Sequence, residues 1–337
     1  MLRFKSLLLA AAMIVGPAPV TAGPDSALFE DIRAIDSDLA RIGERLAVAN
    51  AALCDRQKPG LGLLLHTPEQ YAPETREAAI RHFQIDGPVG VEAVLENSPA
   101  AMAGLRAGDT LLGIGAIRFA PPRRDAKAST AALIKVEKQI AELPADRPLR
   151  LYVRRNGSDT NFTVKPKPSC RTRFELAVGP EFAAQADGEM VQIGSRFFAE
   201  YPDLVPAPIA HELAHNILRH RERLEARGVS FGLLSGFGRN VRYFRQTELE
   251  ADILSVSLLA NAGYDPAIAL RFWSRFGPSQ DMGPLGSRSH PAWRDRVATM
   301  ERAIAGLGAA RPHRPAILDT RDRPLDGDWQ SLLVKAQ

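Results

Sequence analysis

Apolar residues recur at alternating steps of four and three through Leu28, Ile32, Ile35, Leu39, Ile42, Leu46, Ala49 and Leu53. That spacing predicts a helix over about 26–53 with a narrow apolar seam. Four heptads are marginal alone, so the seam is expected to pack along its own chain in preference to a dimeric coiled coil. The pattern then shortens. Strands are predicted at Leu61–His66, Val89–Leu95 and Thr110–Ile114, with a helical stretch at Glu74–Phe83 and a helix over about 126–143. Leu149–Arg155 and Asn161–Lys165 make a hairpin across Asn156-Gly157, a strong two-residue turn signal. Beyond Cys170, Phe174–Val178 and Glu189–Ile193 read as strands, and helices follow at about 203–225 and 247–262. A further helix opens at Asp265-Pro266, where an N-cap precedes proline, and a last one runs from near His290-Pro291 to about Gly306. Pro312, Pro315 and Pro324 among arginines and aspartates predict an extended, partly mobile tail.

Composition narrows this picture. The 337 residues are 45% hydrophobic and 24% charged, with a formal net charge of +4. These are values of a globular protein with room for about two domains. The arginines are scattered in pairs without interleaved aromatics, so nucleic acid is not expected as a partner. Arg3 and Lys5, the short apolar run Leu7 to Val15, and Val20-Thr21-Ala22 predict a secretory signal over residues 1–22, cut after Ala22. Export to the periplasm is the expectation. Cys54 and Cys170 are the only cysteines. In an exported protein such a pair is most simply a disulfide, two separate buried thiols being the other reading.

The chemistry sits in His211-Glu212-Leu213-Ala214-His215. Four residues of helix advance about 6 Å and turn about 400°, so the two histidines share a face a turn apart. Two imidazoles so placed can hold one metal ion, and Glu212 can direct a carboxylate at a water on it. A catalytic zinc usually takes a third protein ligand. His220, Glu248, Glu250, Asp252 and His290 are available. His220 falls about 500° round a continuous helix from His215 and is expected at the surface. Glu248 and Asp252 share a face of the next helix, so Glu248 could bind the metal while Asp252 orients a ligating histidine. Glu250 falls on a different face and is expected in solvent. Thr247-x-x-Glu250 also reads as a simple capping box.

Two resemblances organise these readings. Gly60-Leu61-Gly62-Leu63, the run Ser98-Pro99-Ala100-Ala101-Met102-Ala103-Gly104-Leu105-Arg106-Ala107-Gly108-Asp109 and the strand after it resemble a bacterial PDZ domain. That resemblance implies a peptide added as a strand, with the Gly60–Leu63 loop offering backbone N–H groups to a terminal carboxylate. The stretch from Thr67 to Gly87 departs from the pattern and would cover or reshape the groove. The ordered set HELAHNILRH, ELEAD, NAGYDP and SHPAWRDR is similar to zinc peptidases of metallopeptidase family forty-eight, the HtpX-like and CAAX-prenyl-protease-like gluzincins. By position this implies one zinc ion held by His211, His215 and Glu248, with Glu212 as general base. Asp252 would stand behind a ligand, and His290 would stabilise an oxyanion or gate access. Ile253 stands where many members carry arginine, which puts a local salt bridge in doubt.

The resulting expectation is an α+β chain: a mainly helical HExxH zinc-peptidase domain with a small sheet, plus an inserted PDZ-like β-rich domain. Its parts are a signal at 1–22, an N-terminal helix within 23–55, the PDZ-like unit at 56–168, the peptidase unit at 169–310 and the tail at 311–337. The function expected is an envelope endopeptidase for misfolded or misassembled proteins, with protein or peptide substrates and a C-terminal peptide ligand on the PDZ-like unit. The alternative is a zinc-stabilised binding or chaperone module with little proteolysis. The apolar run Gly228–Phe237 reads as core, as an active-site cover or as a peripheral membrane contact.

Overall fold

The N-terminal seam is used within the chain. In the computed structural model, which describes residues 24–123, 125–229, 240–280 and 290–336, α1 spans Pro24–Ala49. Residues 1–22, read above as a signal, lie outside the described residues, as does most of Gly228–Phe237. Leu39, Ile42 and Leu46 are at most 5% exposed and enter the main core beside Val191, Leu213 and Leu258. Further up the helix, Phe29 packs with Ala79 and Phe83 of the stretch around α2 (Pro73–His82). One helix therefore binds two units. Close approach is possible because residue 43 is glycine: an added Cβ would stand 2.6 Å from the Phe174 ring. At its end the Asn50 amide donates to the carbonyls of Leu46 and Leu258, satisfying acceptors a helix terminus leaves open.

The first unit is β-rich. Strand β1 (Gln57–Gly60) pairs antiparallel with β8 (Lys167–Cys170), so the chain enters and leaves side by side. A disulfide joins Cys54 to Cys170, with Cα atoms 5.5 Å apart across 116 residues. Between these strands come β2 (Leu63–His66), β3 (Val89–Val94), α3 (Pro99–Met102), β4 (Thr110–Ile114) and β5 (Ile117–Arg118). Then follow α4 (Ala131–Ala141), β6 (Leu149–Arg155) and β7 (Ser158–Val164). The sheet order is β2-β3-β4-β6-β7, with β5 on β4. Val91, Leu111, Leu151 and Val153 fill its core, the last two by the inward alternation of β6.

The strand expected over Leu61–His66 is broken, because Gly62 takes φ +72° and turns the chain from β1 into β2. The hairpin expectation holds: Asn156 and Gly157 both have positive φ, as a two-residue turn between right-twisted strands requires. β7 starts earlier than its apolar residues suggest, since the polar run Ser158–Asn161 pairs with β6 on an edge, with Asp159 also accepting from the Arg154 side chain. Loss of the disulfide by Cys54→Ala with Cys170→Ala should lower stability by up to about 4–5 kcal/mol in the chain-entropy model, measured by urea unfolding.

Where α1 meets this unit, titratable groups are buried. His66 lies with Nδ1 2.8 Å from the Tyr71 hydroxyl and 3.8 Å from Glu92 Oε2. Burial, reinforced by Asp36, pushes the Glu92 carboxyl up to about 8, while burial pushes His66 down to about 3. Burial likewise raises Asp36 to about 6. Folded Glu92 keeps a proton that the unfolded chain releases near 4.5, so its contribution to stability falls as pH rises toward about 8. Neutral His66 acts in the opposite sense, but only between about 3 and 6.5. The expected outcome is a fall in the urea midpoint between pH 6.5 and 8.5, flattened by Glu92→Gln. An unchanged slope in that variant would assign the effect elsewhere.

The second unit begins with β9 (Arg173–Ala177), β10 (Ala184–Ala186) and β11 (Met190–Gly194), in the order β10-β11-β9. Helices follow: α5 (Ser195–Glu200), α6 (Pro206–Ile217), α7 (His220–Glu225), α8 (Val241–Asn261), α9 (Ala267–Gln280) and α10 (Trp293–Ala305). α6 is buried almost all round, against α8, α9, α1 and the sheet. The single helix expected over 203–225 is two, because Arg219 adopts left-handed backbone with φ 54°. α8 begins well before the expected start near 247, and no capping box forms there. The Thr247 hydroxyl donates to the Phe244 carbonyl inside the helix instead. The tail is irregular, yet docked: Leu318 and Leu325 are buried, and the His313 N–H donates to Asn261. Among the described residues no helix is long and apolar enough to cross a membrane.

Candidate metal centre

Pro206 and Pro208 open α6, where helix N–H groups have no intrahelical partner to lose. Two turns on, His211 and His215 face the same side, their Nε2 atoms 3.1 Å apart. Glu248 of α8 completes a triangle, with oxygens 3.4 Å from His211 Nε2 and 3.6 Å from His215 Nε2. Among the described residues this is the one group of three or more histidines, cysteines and carboxylates gathered as a metal site would be. A tetrahedral ion with bonds of about 2.0–2.1 Å separates its ligand atoms by about 3.3–3.4 Å. The three observed edges bracket that value. The donor set agrees: two imidazoles and a carboxylate are ligands that a divalent ion such as zinc takes. The residues present fit a metal ion.

Each histidine is backed by its own chain of partners. His211 Nδ1 lies 3.1 Å from Asp252 Oδ1, and Arg296 of α10 grips both Asp252 oxygens at 2.7 and 2.8 Å. Arg296 is 2% exposed, lies 3.8 Å over the Trp273 ring and reaches Glu248 at 3.2 Å. On the other side His215 Nδ1 is 2.8 Å from His220 Nδ1, and His220 Nε2 is 3.0 Å from Glu250 Oε2. Glu250 in turn accepts from Arg223 at 2.6 Å and from Gln246 at 2.9 Å.

A carboxylate paired with arginine can only accept, so His220 carries its proton on Nε2 and offers a lone pair at Nδ1. His215 then donates from Nδ1 and keeps the Nε2 lone pair facing the triangle, the state a metal ligand needs. Burial holds His220 below its usual value despite Glu250, and burial with His220 holds His215 well below. Burial works against His211 as a cation, but Asp252 and Glu248 outweigh it and lift it to about 9. Burial alone would raise Glu248; His290, His211 and Arg296 pull it well below the carboxylate range. The Glu212 carboxyl is pushed up to about 7 by burial, with Glu248 adding to the effect and His211 and Arg296 opposing it.

The site opens on a cleft of about 670 Å³ that also receives Glu212, His290 and Trp293. His290 Nε2 stands 3.5 Å from Glu248 Oε2. Ala184, Gln185 and Ala186 of β10, the edge strand of the small sheet, form another wall.

No family model matches the chain. It is 26% identical over 122 residues to the mitochondrial metalloendopeptidase OMA1 of Schizosaccharomyces pombe, a match covering 29% of this chain and 36% of that protein. The chain thus spans about a third of the length of the curated relative it matches. Among solved structures it resembles the HtrA3 PDZ domain bound to a phage-derived ligand, at 19% identity over 33% of this chain and 88% of that one, with a TM-score of 0.24. It also resembles the HtrA-type protease AlgW with a decapeptide, at 23% identity, 33% and 30% coverage and a TM-score of 0.24. The fold is mixed α and β, with a β-rich unit beside a mainly helical one.

The structure brings His211, Glu212, His215, Glu248, Asp252 and His290 to one cleft or directly behind it. Two expectations need correction. His220 and Glu250, placed at the surface from sequence, are both 1% exposed and stand behind His215. The turn at Arg219 starts a new helix, so the rotation counted from His215 along one continuous helix does not apply. Arg296, which hydrophobic pattern and motif spacing do not single out, supplies the guanidinium behind Asp252 and Glu248. The only local signal is its place at the end of SHPAWRDR.

Gly60, Leu61, Gly62 and Leu63 lie far along the chain from this cleft; Leu61, Gly62 and Leu63, but not Gly60, line a smaller groove of about 100 Å³ between β2 and α4. No residue of α2 lines that groove, so the inserted stretch does not cover it; α2 is turned to α1.

Proposed function

We propose that this protein is a zinc-dependent endopeptidase related to metallopeptidase family forty-eight. The observation that carries this reading is the triangle of His211, His215 and Glu248 with a half-buried carboxylate, Glu212, beside it. When bound, zinc would supply Lewis acidity toward a carbonyl and a water. The chain's own groups do the rest. Glu212 takes a proton from the attacking water and returns it to the leaving amine. His290, at the cleft mouth, donates to the oxygen on which charge develops, an interaction strongest in the transition state. The free edge of β10 pairs with an extended substrate backbone, and Trp273 and Trp293 wall off water.

The PDZ-like groove takes the C-terminus of a protein partner, and the clients are misfolded or misassembled envelope proteins. Export to the periplasm with cleavage after Ala22 belongs to the same reading. It is supported by the apolar run behind Arg3 and Lys5 and by the Cys54–Cys170 disulfide. The test is metal content and digestion of an unfolded protein by wild type and Glu248→Ala. Wild type should hold one zinc per chain and cleave; the variant should lose both. Stoichiometric zinc with full cleavage in Glu248→Ala would remove Glu248 from the site. Binding of unfolded protein without cleavage by the zinc-loaded wild type would leave a binding module.

A further inference from the structure

The groove between β2 and α4 has an apolar floor, with Leu61, Leu65 and Ile140 in its lining, and β2 is an edge strand of its sheet. At the end where Gly60-Leu61-Gly62-Leu63 turns, one more residue lines it: Glu44 of α1. A Cβ added to Gly60 would stand 2.7 Å from Glu44 Oε1, so the carboxylate is pressed against the backbone of this loop. Gly62 and Lys58 line the groove with it, and Lys58 and Lys167 supply positive charge nearby. A backbone N–H of a glycine turn, flanked by lysine, is what a peptide's terminal carboxylate needs.

α1 cannot carry this residue elsewhere without moving itself. Its neighbours Ile42, Gly43 and Leu46 are packed into the core or against Phe174. Burial raises the Glu44 carboxyl above its ordinary value, against the pull of Lys58, Gly62 and Lys167. A carboxylate kept in a place that penalises its charge is one that a better-solvated alternative can release.

We propose that the Glu44 side chain is an internal occupant of the carboxylate end of the PDZ-like groove, which a partner's free C-terminus enters by displacing it. This rests on the peptide-binding reading of the groove given above. The incoming ligand is a peptide with a free α-carboxylate and an apolar last residue, matched to the loop and to the leucine-lined floor. Its entry would be felt in the second unit. The α4 wall is tied there by Lys138 to Glu189 at 2.7 Å, and Arg171 pairs with Glu142. Glu189 follows Gly188, whose N–H donates to Asn216, the residue after His215.

Two measurements on the full-length, disulfide-bonded protein test this. First, the Gly62 amide proton in a 1H–15N spectrum should shift between wild type and Glu44→Ala, with Glu44→Gln falling between. An unmoved Gly62 resonance in both variants overturns the proposal. Second, a pool of fluorescent decapeptides randomised over their last four residues is titrated as free acids and as C-terminal amides. Glu44→Ala should bind the free-acid pool at least about tenfold more tightly than wild type does, and the amide pool no better, because the occupied state taxes the apparent affinity. Equal free-acid affinity in wild type and Glu44→Ala would leave a peptide groove standing but overturn Glu44 as its occupant. No preference for free acid in either protein would overturn the groove reading and this proposal together.

Discussion

Glu212→Gln should keep its metal and its fold yet lose peptide hydrolysis by at least about a hundredfold. The glutamine fills the same volume and can still hydrogen-bond, so nothing in the packing of α6 is disturbed. What it cannot do is take a proton from water near neutral pH. The wild-type carboxylate, in the cleft with the three proposed ligands, can make that transfer in either direction. Zinc content and unfolding midpoint are to be measured beside turnover. Wild-type cleavage rates from the purified variant would remove Glu212 from the mechanism, whatever the metal does.

The second large effect is expected where the sequence pattern alone suggests silence. Glu250→Ala leaves Arg223, itself buried, without its carboxylate, and breaking one side of a buried ion pair costs about 3–5 kcal/mol. It also frees His220 to change tautomer, and with it the lone pair that His215 turns toward the triangle. His220→Ala should therefore lower metal affinity about 10–100-fold, the usual scale for groups behind a ligating histidine. Glu222→Ala, in an exposed pair with Arg56, should stay within about 0.5 kcal/mol of wild type. The readouts are zinc affinity against a chelator and the urea midpoint. Full affinity in His220→Ala would show that His215 needs no such support.

Those residues separate what local pattern can and cannot reveal. His211 and His215, or Glu248 and Asp252, are one helical turn apart, so their relative placement follows from helix geometry once the helix is recognised. His220 is five residues from His215, but its position depends on one backbone angle at Arg219. Left-handed backbone at a non-glycine residue leaves no mark in a hydrophobic pattern. Arg296 meets Asp252 across 44 residues of sequence, and no periodicity records such a pairing. The same limit applies in the PDZ-like unit. Apolar alternation places β3, β4 and β6, while the late start of β2 at Leu63 rests on Gly62, and β1 over Gln57–Gly60 has no apolar pattern to mark it. The early start of α8 is hidden because its first two turns are rich in Arg and Gln.

The two chains of partners behind the histidines also fix an order of events during synthesis. His211 is made 85 residues before Arg296, the guanidinium that clamps Asp252. Arg223, at the end of the other chain, donates to the carbonyl of Arg323, which follows it by 100 residues. A chain emerging from its N-terminus therefore exposes both histidines before Arg296 can clamp Asp252 behind His211. The docked tail and α10 act as a closing piece, and a truncated or stalled chain would carry the HELAH helix with its supports missing. Under the peptidase function proposed above, completion by α10 and the segment after it would keep an unfinished chain from attacking its own kind.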